Sequence, residues 1–537
     1  MSETIQQVLR ERASSDSVAV KYGDRCWSWR EHLRDASARA AVVLALADHD
    51  RPVHVGVLLP NGPEFLNQMA AAGLGGYVLC GINTTRRGEA LAADIARADC
   101  QIVVTDAEHR PLLNGLDLSG VRVLDASSGE WAQLIEAPGE LAPYREAAPM
   151  DTFMLIFTSG TSGDPKAVQV SHFMVLMSGR NLVQRFAITR DDTCYLSMPL
   201  FHSNALVAGW GVAVATGAAM APAQFSASRF LADIRRYGAT YMNYVGKPLA
   251  YILATPERPE DADNPLRVAF GNEASDRDIA EFQRRFDAVV WDGFGSTENA
   301  VIITREPGTP KGSLGKGFAG VAVYNPDTHT ECAPARFDDN GALINADEAV
   351  GELVNTLGSG FFTGYYKNDE ATTERTRHGM YWSGDLAYRD TDGWIYLAGR
   401  IGDWLRVDGE NMAAAPIERI LVRLPDINRV AVYGVPDEHT GDQIMAALVL
   451  NDCATLTPAR FQAFLAAQPD LSPKAWPRYV RIAVDLPTTA THKVLKRELA
   501  AQGPTAGDGG LWTREPRGTL YHIHQDHPPG QGVTPHC

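Results

Sequence analysis

Cysteine is sparse and scattered in this chain. Its seven residues, Cys26, Cys80, Cys100, Cys194, Cys332, Cys453 and Cys537, form no Cys-x-x-Cys pair and no Cys/His cluster at zinc spacing. That excludes a disulfide framework or a spaced zinc site and favours a reduced, cytoplasmic setting. Positive charge is also in short supply: 49 basic against 65 acidic residues leave a formal charge of −16. Such a balance argues against nucleic acid, or an anionic membrane, as the main partner. The first residues, Met-Ser-Glu-Thr-Ile-Gln-Gln, lack the basic and apolar segments of a signal peptide. Charge is missing altogether from Thr193 to Ser228, a run long enough to span a bilayer. Pro199, His202, Asn204, Pro222 and many Gly and Ala hold down its hydropathy, so it reads as a buried helix of a large domain. No internal repeat occurs.

Length then sets the organisation, because 537 residues exceed what one core holds and imply two or three unequal domains. An apolar share of 45% with 21% charged residues is that of an ordinary globular protein. Up to about residue 398, short Val/Ile/Leu/Ala runs alternate with helical patterns, as in Val53–Leu59 followed by a helix from Pro63 to Leu74. This rhythm predicts a large α/β domain with parallel sheets, whose strand ends face ligands. Past Arg400 the pattern becomes a helix near Pro416–Leu424, strands near Val430–Val435 and Ile444–Leu450, a helix opened by Thr457-Pro458, and a strand near Tyr479–Val484. The expectation is a small α+β domain over 404–502. A tail rich in Gly, Pro and His follows over 503–537, and its last fifteen residues are expected to lack fixed structure.

The most specific segment is Phe153-Met-Leu-Ile-Phe-Thr-Ser-Gly-Thr-Ser-Gly-Asp-Pro-Lys-Ala-Val-Gln-Val-Ser-His172, an apolar strand opening into a hydroxyl- and glycine-rich loop. Gly160 and Gly163 let the backbone turn N–H groups toward an anion; Thr158, Ser159, Thr161 and Ser162 add O–H donors, and Lys166 adds a point charge. The loop is built for a polyphosphate. A Walker loop needs four residues between its glycines and Ser or Thr after the Lys, whereas two residues separate Gly160 from Gly163 and Ala167 follows Lys166. The apolar run from Ala167 gives strand, loop, strand, which also excludes the dinucleotide fingerprint. This segment resembles the signature loop of adenylate-forming enzymes: acyl-CoA synthetases, luciferases and the adenylation modules of peptide synthetases.

Further motifs extend the resemblance from Thr158 to Arg497. Ala288-Val-Val-Trp291 reads as a buried strand leading to Asp-Gly-Phe-Gly-Ser-Thr-Glu298. The family order is aromatic, Gly, any residue, Thr, Glu, matched by Phe294, Gly295, Thr297 and Glu298, with Phe294 where Tyr is more usual. By that resemblance Phe294 stacks on adenine, Thr297 donates to the α-phosphate, and Glu298 takes the magnesium of Mg-ATP, with Thr158 as a second metal contact. Tyr381-Trp-Ser-Gly-Asp385, a turn at Asp390–Gly393 and a strand from Trp394 predict a hairpin whose open end carries Asp385 and Arg400. The family uses such a pair for ribose hydroxyls and for sugar or phosphate oxygens. Residues 399–403 match the family hinge, with Gly402 where relatives carry Lys or Asp, and Arg406 stands where Lys is common. Gly402 offers backbone freedom for a swivel. Pro487-Thr-Thr-Ala-Thr-His-Lys493-Val-Leu-Lys-Arg497 matches the segment bearing the catalytic lysine, with His492 in place of the usual Gly. Arg400-Ile-Gly-Asp403 with Gly409-Glu-Asn411 downstream, Phe361-Phe-Thr-Gly-Tyr-Tyr366 and Trp512-Thr-Arg-Glu-Pro-Arg-Gly are most similar to the very-long-chain acyl-CoA synthetase and fatty acid transport protein branch.

The resemblance implies a chemistry without a protein nucleophile. A carboxylate attacks the α-phosphorus of Mg-ATP to give an acyl-adenylate and pyrophosphate; the small domain then rotates, withdrawing Lys493 and admitting coenzyme A past Gly409. Phe201-His202 and Tyr244-Val-Gly246 are placed at the acyl site, and Gly271-Asn272 at adenine. Gly and Ala from Ala205 to Ala221 leave volume for a long or ring-containing acyl chain. Two alternatives stay open here: an acyl-AMP ligase that loads a carrier protein, and a membrane-associated fatty acid uptake protein. Peripheral membrane association and a homodimer also stay open.

Overall fold

The computed structural model describes residues 2–158, 165–246, 248–339, 341, 343–400, 404–407, 410–437, 441–452, 454–468, 471, 473–488, 494–506, 509–515 and 518–524. The chain divides into two compact units. One comprises Met1–Ile302 and Gly358–Tyr381, the other Ile303–Leu357 and the chain from Trp382 onward. The hinge expectation at 399–403 falls within the second unit, and residues 401–403 lie outside the described residues.

Two largely parallel sheets build the first unit. One runs in the order Arg122–Asp125, Ile102–Thr105, His54–Leu58, Val78–Gly81, Thr152–Thr158, Lys166–Ser171, parallel throughout except for the last pair. In the other, Val289–Phe294, Val268–Asn272, Tyr241–Val245, Thr193–Leu196, Ala219–Pro222 and Val18–Tyr22 lie parallel, and Arg25–Ser28 closes one edge as an antiparallel hairpin strand. The inner strands His54–Leu58, Val78–Gly81, Ile102–Thr105, Thr193–Leu196 and Ala219–Pro222 are short, mostly apolar runs buried at every position, as the interior of a parallel sheet requires, whereas Arg25–Ser28 and Arg122–Asp125 at the edges are partly exposed. Side-chain caps start helices of this unit where the sequence places Ser: Ser28 with Glu31 forms a capping box for Trp29–Leu46, Ser171 caps His172–Phe186, and Ser275 caps Asp276–Phe286.

The uncharged run from Thr193 is not one helix. It folds as strand Thr193–Leu196, a short helix Ser203–Ala205, a π-turn Leu206–Trp210, helix Gly211–Thr216 and strand Ala219–Pro222. Its lack of charge follows from burial of most of the run, the two strands above all, while His202, Ser203, Asn204 and the stretch from Ala223 to Ser228 are half-buried or exposed. Among the described residues no helix is long and apolar enough to cross a membrane.

The second unit contains two sheets. The first orders Val321–Tyr324, Gly351–Asn355, Tyr381–Arg389 and Ile395–Arg400. The second runs Glu410–Ala413, Trp404–Val407, Gly441–Leu450, Tyr479–Ile482, Leu511–Arg514, Tyr521–Ile523, with Ile427–Asp437 also paired to Gly441–Leu450. Helices Ala414–Leu421 and Pro458–Ala466 lie near the positions read from sequence, the latter capped by Thr457.

The tail boundary at 503 needs correcting. Strand Leu511–Arg514 pairs with Tyr479–Ile482 and then with Tyr521–Ile523, so the sheet continues past the predicted domain end. Trp512 is 5% exposed and its ring lies 6.0 Å from that of Phe461, while Arg514 donates to the carbonyls of Trp476 (2.7 Å) and Pro477 (3.1 Å). Gly and Pro around these short strands mask them, since such residues mark turns more strongly than strands of four and three residues with two apolar positions each mark themselves. Residues 525–537 lie outside the described residues. Trp512→Ala should lower unfolding free energy by about 3–5 kcal/mol, as for a buried aromatic deleted from a core, measured by urea denaturation; a change near zero would mean the tail strands are dispensable to the core.

Candidate active site

Three parallel strands end together in the first unit, and the residues expected at adenine and the acyl group sit on those ends. Tyr244 faces Gly271 and Val245 faces Asn272 across one pair; Gly271 faces Asp292 and Asn272 faces Gly293 across the next. A side chain on Gly271 would bring its Cβ to 2.3 Å from the Tyr244 carbonyl oxygen and 2.5 Å from Tyr244 Cγ. Glycine is therefore required for the tyrosine ring to lie over this strand. Asn272 stitches the ends: its Nδ2 donates to the Gly293 carbonyl (2.8 Å), its Oδ1 accepts from Asn204 (3.2 Å), and its carbonyl accepts from the Gly246 N–H (2.8 Å). Gly246 holds φ +68°, which lets the chain turn off the strand. Tyr244 Oη donates to Asp292 Oδ2 (2.9 Å), which also accepts from the Ala274 N–H (3.0 Å). Phe294 is half-buried at the end of its strand, and Gly295 beyond it is exposed.

Beside this platform, Thr297 Oγ1 and Ser203 Oγ share a hydrogen bond of 3.0 Å, tying the Thr-Glu pair to the segment after His202. Burial lowers the His202 imidazole to about 4, so it is neutral at pH 7, and its buried Nε2 has no hydrogen-bond partner among the described residues. The Phe201 ring lies 4.6 Å away. A neutral imidazole amid uncharged residues suits an apolar ligand wall.

The phosphate-loop strands bring a second group together. Thr158 and Lys166 face each other across the antiparallel pair, and Thr158 Oγ1 donates to the Lys166 carbonyl oxygen at 3.4 Å. Lys166 Nζ stands 5.3 Å from the centre of the Tyr365 ring and 3.9 Å from Glu374 Oε2. Tyr365 in turn donates from Oη to Glu298 Oε1 at 2.7 Å. Glu298 is 8% exposed. Burial first, and then the Glu298 charge, raise the Tyr365 phenol, which stays protonated and a donor. Burial alone would lower the Arg375 guanidinium; Tyr381, Tyr365 and Glu298 outweigh it, and the net shift is upward.

Glu298 meets the demand of a magnesium ion carried on nucleotide phosphates: one carboxylate suffices when phosphates and water supply the other ligands. Among the described residues no three His, Cys, Asp or Glu side chains gather into an all-protein cage.

In the second unit the predicted hairpin forms. Asp385 faces Arg400 across strands Tyr381–Arg389 and Ile395–Arg400, with a bulge between Leu386 and Ala387 and a turn closed by Asp390 and Trp394. Asp385 is buried at 6% exposure and its N–H donates to Ser383 Oγ (3.0 Å). Arg406 lies opposite Asn411 on the neighbouring sheet. The backbones of Arg400 and Arg406 are placed and their side chains lie outside the description, as do Ser159, Gly160, Thr161, Ser162, Gly163, Gly402, Gly409 and Lys493.

Sequence reasoning misses Tyr365, Ser203, Asn204 and Arg375. Phe361–Tyr366 reads in sequence only as a mark of its branch. Its aromatic pair directly after Gly364, which holds φ +120°, is the available signal of a tight approach.

A model of the AMP-binding enzyme family matches residues 8–366, and one of the AMP-binding enzyme C-terminal domain matches 416–493. The chain is 52% identical over 508 residues to the medium/long-chain-fatty-acid–CoA ligase FadD17 of Mycobacterium marinum, covering 94% of this chain and 97% of that one. It is 46% identical over 505 residues to the steroid-22-oyl-CoA synthetase of Rhodococcus jostii, covering 93% and 91%. The crystal structure of ATP-bound MatB from Rhodopseudomonas palustris shares the fold, with a TM-score of 0.82 at 22% identity over 94% of this chain and 99% of that one.

Two outcomes are expected at this platform. Gly271→Ala should cost about 1–3 kcal/mol in denaturant unfolding, since backbone rather than a flexible tip must yield. Neutral His202 also implies a pH dependence. Its folded value, about 4, lies below the ordinary 6.5, so the unfolded chain binds the extra proton and stability falls as pH drops from about 6.5 toward 4. Melting curves of His202→Phe at pH 7 and pH 5 should show a smaller drop than the parent; equal drops would remove His202 from the cause.

Proposed function

We propose, from the premise that this chain belongs to the AMP-binding enzyme family, that it activates an apolar carboxylic acid, a medium- or long-chain fatty acid or a ring-bearing acid of similar bulk, to its CoA thioester. The reaction is an ATP-dependent acid–thiol ligation through an acyl-adenylate. The observation that carries the choice of acid is the complete absence of charge from Thr193 to Ser228, the run that supplies His202 and the π-turn beside Asn204. An acid with a second carboxylate or a charged head would find no counter-charge there. The FadD17 and steroid-22-oyl-CoA synthetase names support the same class of acid.

Lys166 and the loop before it neutralise the β- and γ-phosphates, and Thr297 orients the α-phosphate for in-line attack. Glu298 would hold magnesium, which supplies charge neutralisation across the phosphates when bound. Phe294, Gly271 and Asn272 receive adenine. Asp385 is assigned to the ribose hydroxyls, Arg400 and Arg406 to sugar and phosphate oxygens, and Lys493 to the developing charge in adenylation; Gly402 is assigned to the hinge and Gly409 to the coenzyme A passage. Each of these roles rests on the family motif and is open to substitution.

The deciding experiment scores a panel of acids by pyrophosphate release and then by thioester formed with free CoA. Fatty or sterol-derived acids should lead the panel, and dicarboxylates should be turned over at least about 100-fold less efficiently, the factor expected for an unpaired buried charge of a few kcal/mol. Lys493→Ala should reduce adenylation about 10²–10³-fold while leaving thioester formation from supplied acyl-adenylate nearly intact. Pyrophosphate exchange without acyl-CoA would instead assign the chain as an acyl-AMP ligase for a carrier protein.

A further inference from the structure

A single buried phenol touches both charged groups assigned above to the nucleotide. Tyr365, 3% exposed, donates to the Glu298 carboxylate at 2.7 Å and presents its ring face 5.3 Å from the Lys166 ammonium. Both contacts come from one rigid side chain with two torsions. Its backbone is equally fixed. Gly364 accepts from the Gln169 N–H (3.1 Å), Thr363 Oγ1 donates to the Gln169 carbonyl (2.9 Å), and the Tyr366 N–H donates to the Ala167 carbonyl (2.8 Å), so residues 363–366 lie strapped along the strand that leaves the phosphate loop. An isolated bridge pairs Tyr365 with Val168 itself. The other partner of Lys166, Glu374, is 68% exposed and 3.9 Å away, a weak restraint by comparison.

Resting on the reading above, we propose that Tyr365 is the positioning residue for the metal–nucleotide charge pair: its hydroxyl orients one oxygen of Glu298, leaving the other turned to the cation, and its ring fixes the height of Lys166 over the phosphates. No contact with the acid or the reacting phosphorus is assigned to it. Orientation is needed because an unrestrained Glu side chain has three torsions, and each must be frozen when metal-bearing ATP arrives. The ring contact matters because an ammonium on a flexible four-carbon stem gains little fixed direction from an exposed carboxylate.

The two functions separate on substitution. Tyr365→Phe keeps the ring and removes the hydroxyl. The magnesium concentration giving half-maximal pyrophosphate release should rise about tenfold, the size of one lost hydrogen bond to a charged group, with KM for the acid unchanged. A readout free of turnover is the affinity of Mn2+ for the complex with a non-hydrolysable ATP analogue, followed by electron paramagnetic resonance; it should weaken by the same factor. Tyr365→Leu should in addition weaken binding of the analogue in EDTA, which Tyr365→Phe should leave intact. Melting temperatures within a few degrees of the parent establish that each variant is folded; where Tyr365→Leu is not, Tyr365→Phe decides alone. Unchanged magnesium dependence and unchanged Mn2+ affinity in folded Tyr365→Phe would overturn the assignment. Absence of pyrophosphate release from the unsubstituted protein would instead defeat the ligase reading, independently of Tyr365.

Discussion

Two anions must meet for a carboxylate to attack a triphosphate, and the chain that brings them together carries a formal charge of −16. Compensating cations cannot come from the average surface and have to be placed one by one. In the function proposed above, the first unit does this by burying the supporting groups while leaving the cation at the end of a strand. Lys166 follows the phosphate loop, Tyr365 lies under its ammonium, and Glu298 is held by the same phenol. Arg375 completes a cluster in which each charge has a counterpart of opposite sign or a donor. Such a cluster is organised before any substrate arrives, so little reorganisation is left for the reaction itself.

The platform of strand ends, to which adenine and the acyl group are assigned in the proposal, obeys a different rule. Its hydrogen bonds, from Asn204, Asn272, Tyr244 and the backbone of Gly246 and Gly293, are spent within the protein and knit three strand ends into one surface. Asn243 extends the chain by donating to Asn204 Oδ1 at 2.7 Å. Rigid strand ends are better supports than loops for a site that must separate ligands by shape. The π-turn at Leu206–Trp210 belongs to this arrangement: Gly209 in it packs so closely on the sheet that a Cβ would sit 2.8 Å from Leu196 Cδ2 and 2.9 Å from Asn243 Oδ1. The extra residue of a π-turn shifts the following helix without breaking its hydrogen bonding.

What the sequence makes legible follows from how local each signal is. The phosphate loop's flanking strands, the Asp385 hairpin with its turn at Asp390–Gly393, and the helix opened by Thr457 are encoded within a few residues, and all three stand where the sequence places them. The run after Thr193 reads as one helix because absence of charge reports burial and not periodicity; two four-residue strands inside it carry too few positions to show alternation. The tail strand Leu511–Arg514 escapes for a related reason, since its partner Tyr479–Ile482 is about thirty residues away and only that pairing makes it a strand. Glu298 and Lys166 are evident from their motifs. Tyr365 lies inside a motif yet shows no role there, because its contacts reach back to the strand Lys166–Ser171, and no local pattern encodes a contact of that span.

Distance in sequence also explains why the residues that carry charge and those that hold them in place come from different kinds of segment. Lys166 opens one strand and Glu298 follows closely on another, where the backbone direction is set by the sheet and the side chain projects from its end. Tyr365 comes from a stretch with no regular structure of its own, between Ser359 and the helix Asp369–Arg375, and borrows its order from the strand it is strapped to. Glycine at 364 is what permits the strap: at φ +120° the chain passes within hydrogen-bonding distance of Gln169, and a Cβ there would meet the Gln169 and Thr372 side chains at 3.4 Å. The cost of ordering this segment is therefore offset by backbone hydrogen bonds to an existing sheet rather than by a core of its own, and the phenol it carries is fixed as firmly as if it stood on a strand.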